Sequence, residues 1–143
     1  MNAKTVNTKP VTLSEQDKDT LRTAAWGAVS LMSAAGAAGS AHKVGTHGSI
    51  ALTSATGLVG HVLAGRGKIK DLNGRSTAEL ADHVLPALTA TVALLTEQDP
   101  AEADNFRSTI DVVVESSIRA QKGGATSPAM AEMARKITEA LHS

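Results

Sequence analysis

The sequence predicts an all-α protein: a compact bundle of four to five helices behind a flexible N-terminal leader. Three observations predict it. Apolar residues recur three and four positions apart through five successive segments, and none of these alternates with period two. Four of the segments open on Ser or Asp, at Ser14, Ser76, Asp99 and Ser127, where a side-chain oxygen can accept from the free N–H groups of a first helical turn. Aromatic residues make up only 1% of the chain, as Trp26 and Phe106, so the core is left to Ala, Val, Leu, Ile and Met, which suit closely spaced helices.

Residues 1–13 are polar, contain Pro10, and read as the leader; residues 14–143 read as one helical-bundle domain. The first helix runs from Ser14 to about Ala35, with Glu15 and Asp17 in its first turn and Leu21, Ala25, Ala28, Met32 and Ala35 on its inner line. Trp26 lies off that line and is the interface candidate of this helix.

The second helix is expected from Thr46–Ser49 to about Ala64, with Ala51, Ala55, Leu58, Val59, Val62 and Leu63 inward. Gly57 and Gly60 fall inside it, and a glycine there costs about 1 kcal/mol relative to alanine unless packing compensates. With Gly27 and Ala28 on the first helix they predict a close antiparallel pair, in which small residues let two axes approach.

Ser76 and Glu79 form a capping box opening a third helix through Leu80, Val84, Leu88, Val92 and Leu95, which Pro86 is expected to bend or interrupt. Asp99 followed by Pro100 starts a fourth, with Phe106, Ile110, Val113, Val114 and Ser117 inward and Asp104, Asp111 and Glu115 outward. Arg107 with Asp111, and Glu115 with Arg119, are spaced as ion pairs four residues apart. Ser127 and Pro128 open a fifth, striped by Met130, Met133, Ala134, Ile137 and Leu141. The preceding stretch QKGGATSP reads as a hinge that would make this last helix detachable.

Composition narrows function by exclusion. The absence of cysteine removes disulfides, thiolate metal sites and cysteine nucleophiles, and fits a cytoplasmic location. Fourteen basic residues balance fourteen acidic ones, so no general affinity for nucleic acid or anionic lipid is expected. Residues 23–41 carry no charge, but their large apolar residues are too few for a membrane span.

The stretch SAHKVGTHGSIALTSATGLVGHVLAG concentrates His42, His47 and His61. On one helix His47 and His61 would stand about 21 Å apart, too far to share an ion. Glu79 and His83, one turn apart, are the remaining weak metal candidates; the chain lacks the inward Glu-x-x-His motifs of carboxylate-bridged bundles. Arg66, Lys68, Lys70 and Arg75, in a glycine-punctuated loop, are the anion-binding candidates. That loop is not a nucleotide-binding P-loop, since Arg66-Gly67 stands where Lys-Ser/Thr is required.

No catalytic motif is present, and no cofactor is implied. The expectation is a non-enzymatic bundle acting through protein contacts, homo-oligomerisation included. The alternative is a small-ligand or metal-binding protein, an enzyme among its possibilities, with a histidine-lined pocket between the first three helices.

Overall fold

A computed structural model describes residues 13–36, 41–64, 76–120 and 127–142, with the side chains of residues 41 and 42 outside that description. The described residues form an all-α bundle of six helices: α1 (Glu15–Ala35), α2 (Ala41–Thr53), α3 (Gly57–Ala64), α4 (Thr77–Gln98), α5 (Pro100–Arg119) and α6 (Pro128–Leu141). Most of the leader, the hinge segment and the basic loop lie outside the described residues. Leu13, the last leader residue, is buried in the core.

The starts follow from local chemistry. Ser14 accepts from Asp17 N while the Asp17 carboxylate accepts from Ser14 N, and Ser76 and Glu79 repeat the arrangement on α4. Asp99 accepts from Ala101 N ahead of Pro100, and Ser127 from Met130 N ahead of Pro128. Pro86 leaves α4 a single helix; its ring stands on the exposed side. By length and composition α4 is the one helix among the described residues that suffices to cross a membrane, and 39% of its apolar stretch is buried in the bundle.

Helix α1 is the centre of the bundle. It touches each of the other five helices, with its most extensive packing against α4. Burial therefore extends well beyond its expected stripe, to Arg22, Thr23, Ala24, Gly27, Val29 and Leu31. This accounts for the charge-free run beginning at Thr23: a rod enclosed by neighbours has few positions left for a charged side chain. Trp26 is half-buried and lies against the core.

The expected second helix is two helices. Ser54–Thr56 interrupts it, and the expected start near Thr46–Ser49 is earlier, at Ala41. The ladder ends there: the Ile50 carbonyl still accepts from Ser54 N at 3.1 Å, alongside Ser54 Oγ at 2.9 Å and Thr53 Oγ1 at 3.0 Å, but Ala55 N turns to Leu52 O, three residues back instead of four, at 3.1 Å. Gly57 restarts the chain with a φ of 70°, a left-handed conformation that favours glycine.

The close helix approaches differ from those expected. A Cβ on Gly27 would lie 2.4 Å from Val84 Cγ2, so this glycine admits α4 rather than α2. Gly45 and Gly48 bring α2 onto α1, with virtual Cβ positions 3.0 Å from Ser33 Oγ and 3.2 Å from Val29 Cγ1. These contacts run in opposite chain directions, so α1 and α2 are antiparallel. Gly57 is a turn residue facing Glu102 and Asn105 of α5. A Cβ on Gly60 would lie 2.3 Å from the Ala55 carbonyl oxygen, so that glycine accommodates the folded-back break itself.

Two arginines tie helix ends across the bundle. Arg22 Nε donates to Val62 O near the end of α3 at 3.1 Å, and Arg107 Nε donates to Leu141 O at the end of α6 at 3.2 Å. Each is held by an aspartate three residues earlier: Asp19 at 3.2 Å and Asp104 at 2.7 Å. Arg107 thus pairs with Asp104 rather than Asp111, while the expected Glu115–Arg119 pair forms at 3.7 Å. The buried end of α6 also receives Thr89 Oγ1, which donates to Ala140 O at 2.9 Å.

Helix α6 belongs to the core, with Met130, Ile137 and Leu141 fully enclosed. On its exposed side Arg135 bonds both Glu132 and Glu139. The hydrogen bond from Arg135 holds the Glu132 carboxyl below its ordinary range.

Candidate functional site

The histidines singled out by the sequence are dispersed. His47 is exposed on α2, His61 is exposed in the last turn of α3, and His83 is half-buried on α4, one turn from the exposed Glu79. The His42 side chain lies outside the described residues. Among the described residues no three His, Cys, Asp or Glu side chains stand close enough to hold one metal ion. Arg66, Lys68, Lys70 and Arg75 also lie outside the described residues.

Hollows lined by described residues indent the bundle. One, about 590 Å³, is a shallow groove between α4 and α6, lined by Leu85 and Ala140 and bordered by Asp82, Arg135 and Glu139. A second, about 310 Å³, lies between α1 and α4 and is lined by Asp19, Thr20, Thr23 and His83. His83 Nε2 is buried there without a hydrogen-bond partner among the described residues. The third, about 350 Å³, lies between α1 and the last turn of α3, and its lining is Lys18, Arg22, His61, Val62 and Ala64. Arg22 and Asp19 divide between the last two: the pair is a wall whose acidic side faces α4 and whose basic side faces α3.

Comparison with protein-family models, with curated proteins and with solved structures finds no match.

A different kind of surface lies on the outer side of α2 and α5. Helix α2 and the chain that follows it run antiparallel to α5, with Gly48 of α2 against Ser117 at one level and Thr56–Val59, at the start of α3, against Glu102 and Asn105 at another. Glu102 Oε1 accepts from Val59 N at 3.2 Å, and Asn105 Nδ2 donates to Thr56 O at 2.9 Å, so α5 caps the chain where it re-enters helix.

Outward from this seam stand Ile50, 56% exposed, and Val112, 49% exposed, the large apolar side chains most open to solvent among the described residues. Counting from the Gly48–Ser117 contact at 1.5 Å per residue, they differ by only about 4–5 Å along the helix axes. Lys43 shares Ile50's side of α2, seven residues earlier, and Glu115 shares Val112's side of α5, three residues on. All four side chains are exposed. The sequence points to Trp26 as the surface anchor and does not distinguish Ile50 or Val112, because Ile50 fits an apolar helix and Val112 merges with the buried Val113 and Val114.

Proposed function

We propose that this chain is a non-enzymatic helical-bundle protein that acts by protein contact, pairing with a second copy of itself across the outer side of α2 and α5. The supporting observation is the exposure of Ile50 and Val112 at nearly one level on adjacent helices. Burying the exposed half of each contributes roughly 1–1.5 kcal/mol by the usual area relation. Charge favours a second copy as the occupant. Lys43 borders the patch on α2, while Asp111 and Glu115 border it on α5. A two-fold axis parallel to the helices lays α2 of one copy, with Lys43, over α5 of the other, with Asp111 and Glu115, and brings each Ile50 to within about one helical turn of the other copy's Val112 along the axes.

Sedimentation velocity over a wide concentration range tests this directly. Wild-type protein is expected to shift from monomer to dimer, and the Ile50→Lys and Val112→Glu variants to remain monomeric with unchanged helicity. A wild type that sediments as monomer throughout, or variants that dimerise as well as it does, overturns the reading.

A further inference from the structure

We propose that the hollow between α1 and the end of α3 is an anion site that receives the phosphate group of a small phosphorylated molecule, held by Arg22, Lys18 and His61. The lining contains no carboxylate, and three of its five side chains are cationic or able to become so. Its fixed element is Arg22, whose side chain is only 8% exposed. A guanidinium carries five N–H donors. Nε is committed to Val62 O and one Nη1 hydrogen to Asp19, and the remaining donors have no acceptor among the described residues. Both committed bonds lock the fork in place, so an arriving anion meets a donor that has already lost its freedom to rotate.

The mobile elements complete the set. Lys18 lies one turn before Arg22 on α1, and its bond to Glu15 at 3.2 Å is an exposed pair that an anion displaces at little cost. His61 stands exposed on α3 at the opposite side of the hollow. The closing turn of α3 directs carbonyl oxygens toward this end, which by itself repels an anion. Arg22 offsets that repulsion at Val62 O, where it neutralises one of those carbonyls. A volume of about 350 Å³ accommodates a phosphate with a small organic group attached, and the positive lining selects the phosphate end.

Inorganic phosphate is the probe, titrated into the full chain at constant ionic strength with chloride as the reference, and followed by the amide and side-chain NMR signals of Lys18, Arg22, His61 and Ala64. The expected result is a saturable response at these signals that chloride does not reproduce. Lys18→Gln and His61→Gln, both on the surface, are each expected to weaken it about tenfold, the loss of one charge-assisted hydrogen bond. Vesicles containing phosphatidic acid form a second arm. Sedimentation with those vesicles in the absence of any response to free phosphate overturns the assignment, because it makes the ligand a membrane surface. A response that does not saturate, that chloride matches, or that both variants retain in full overturns it as well.

Discussion

The Gly27→Ala substitution separates two physical effects that have opposite signs. Intrinsic helix propensity favours alanine over glycine in a helix interior by about 1 kcal/mol. Packing opposes it. The added methyl would sit 2.4 Å from Val84 Cγ2, 2.8 Å from Cγ1 and 3.1 Å from Cβ, against an ordinary carbon–carbon separation of about 3.5–4 Å. Val84 is fully buried and β-branched, so rotation exchanges one crowded methyl for another, and relief requires α1 and α4 to part. A displacement of about 1 Å at the most extensive interface of the bundle belongs in the upper part of the 1–3 kcal/mol range for overpacking. The net expectation is a loss of about 1–2 kcal/mol, or roughly 3–6 °C in Tm for a chain of this size. Urea unfolding followed by circular dichroism measures it. Val84→Ala removes the two nearest carbons, so the double variant is expected to recover part of the loss relative to the sum of the single ones. If Gly27→Ala proves more stable than wild type, propensity alone governs the site and the close α1–α4 crossing is refuted.

Gly57→Ala is expected to cost about 2 kcal/mol, because a φ of 70° is strained for alanine and the new methyl crowds the Glu102 carboxylate at 3.0 Å. Gly57→Asn tolerates that backbone better and should lose less; thermal melts showing the reverse order would refute the turn assignment. Truncation after Gly123 removes the fully buried Met130, Ile137 and Leu141, worth roughly 5–9 kcal/mol together and comparable with the whole stability of a typical domain. The product is expected to lose cooperative unfolding and to aggregate; a soluble monomer with a sharp transition would show α6 to be dispensable.

The second half of the chain is read almost directly from its residues. The Ser76, Asp99 and Ser127 caps, and the apolar lines through Leu88, Ile110 and Ile137, announce α4, α5 and α6, because each helix has a clear wet side and a clear dry one. The centrality of α1 is harder to extract. A helix covered by five neighbours keeps little polar face beyond its first turns, and its signal is the uncharged run that begins at Thr23. The break between α2 and α3 contains neither proline nor a leading glycine; its trace is Thr53-Ser54, hydroxyls near the end of a helix, followed by Gly57.

The end-tying arginines have a sequence trace as well, the twin strings DTLR at Asp19–Arg22 and DNFR at Asp104–Arg107. Spacing identifies the local Asp–Arg partnership, but the carbonyls at Val62 and Leu141 are supplied by other helices and leave no local mark. The same holds for the basic hollow. Lys18 and His61 come together only because an antiparallel return from α1 through α2 and α3 brings the two ends to one level.

The enclosure of α1 has a consequence for the chain during its synthesis. Helix α1 leaves the ribosome before the five helices that cover it, including α6, whose last residues follow Ala35 by on the order of 100 positions. At about 5–20 residues per second, its apolar surface waits roughly 5–20 s for its final partner. Throughout that interval this rod, uncharged from Thr23 onward, is a nascent segment without its sheath, the form in which the polypeptide is most open to chaperones and proteases.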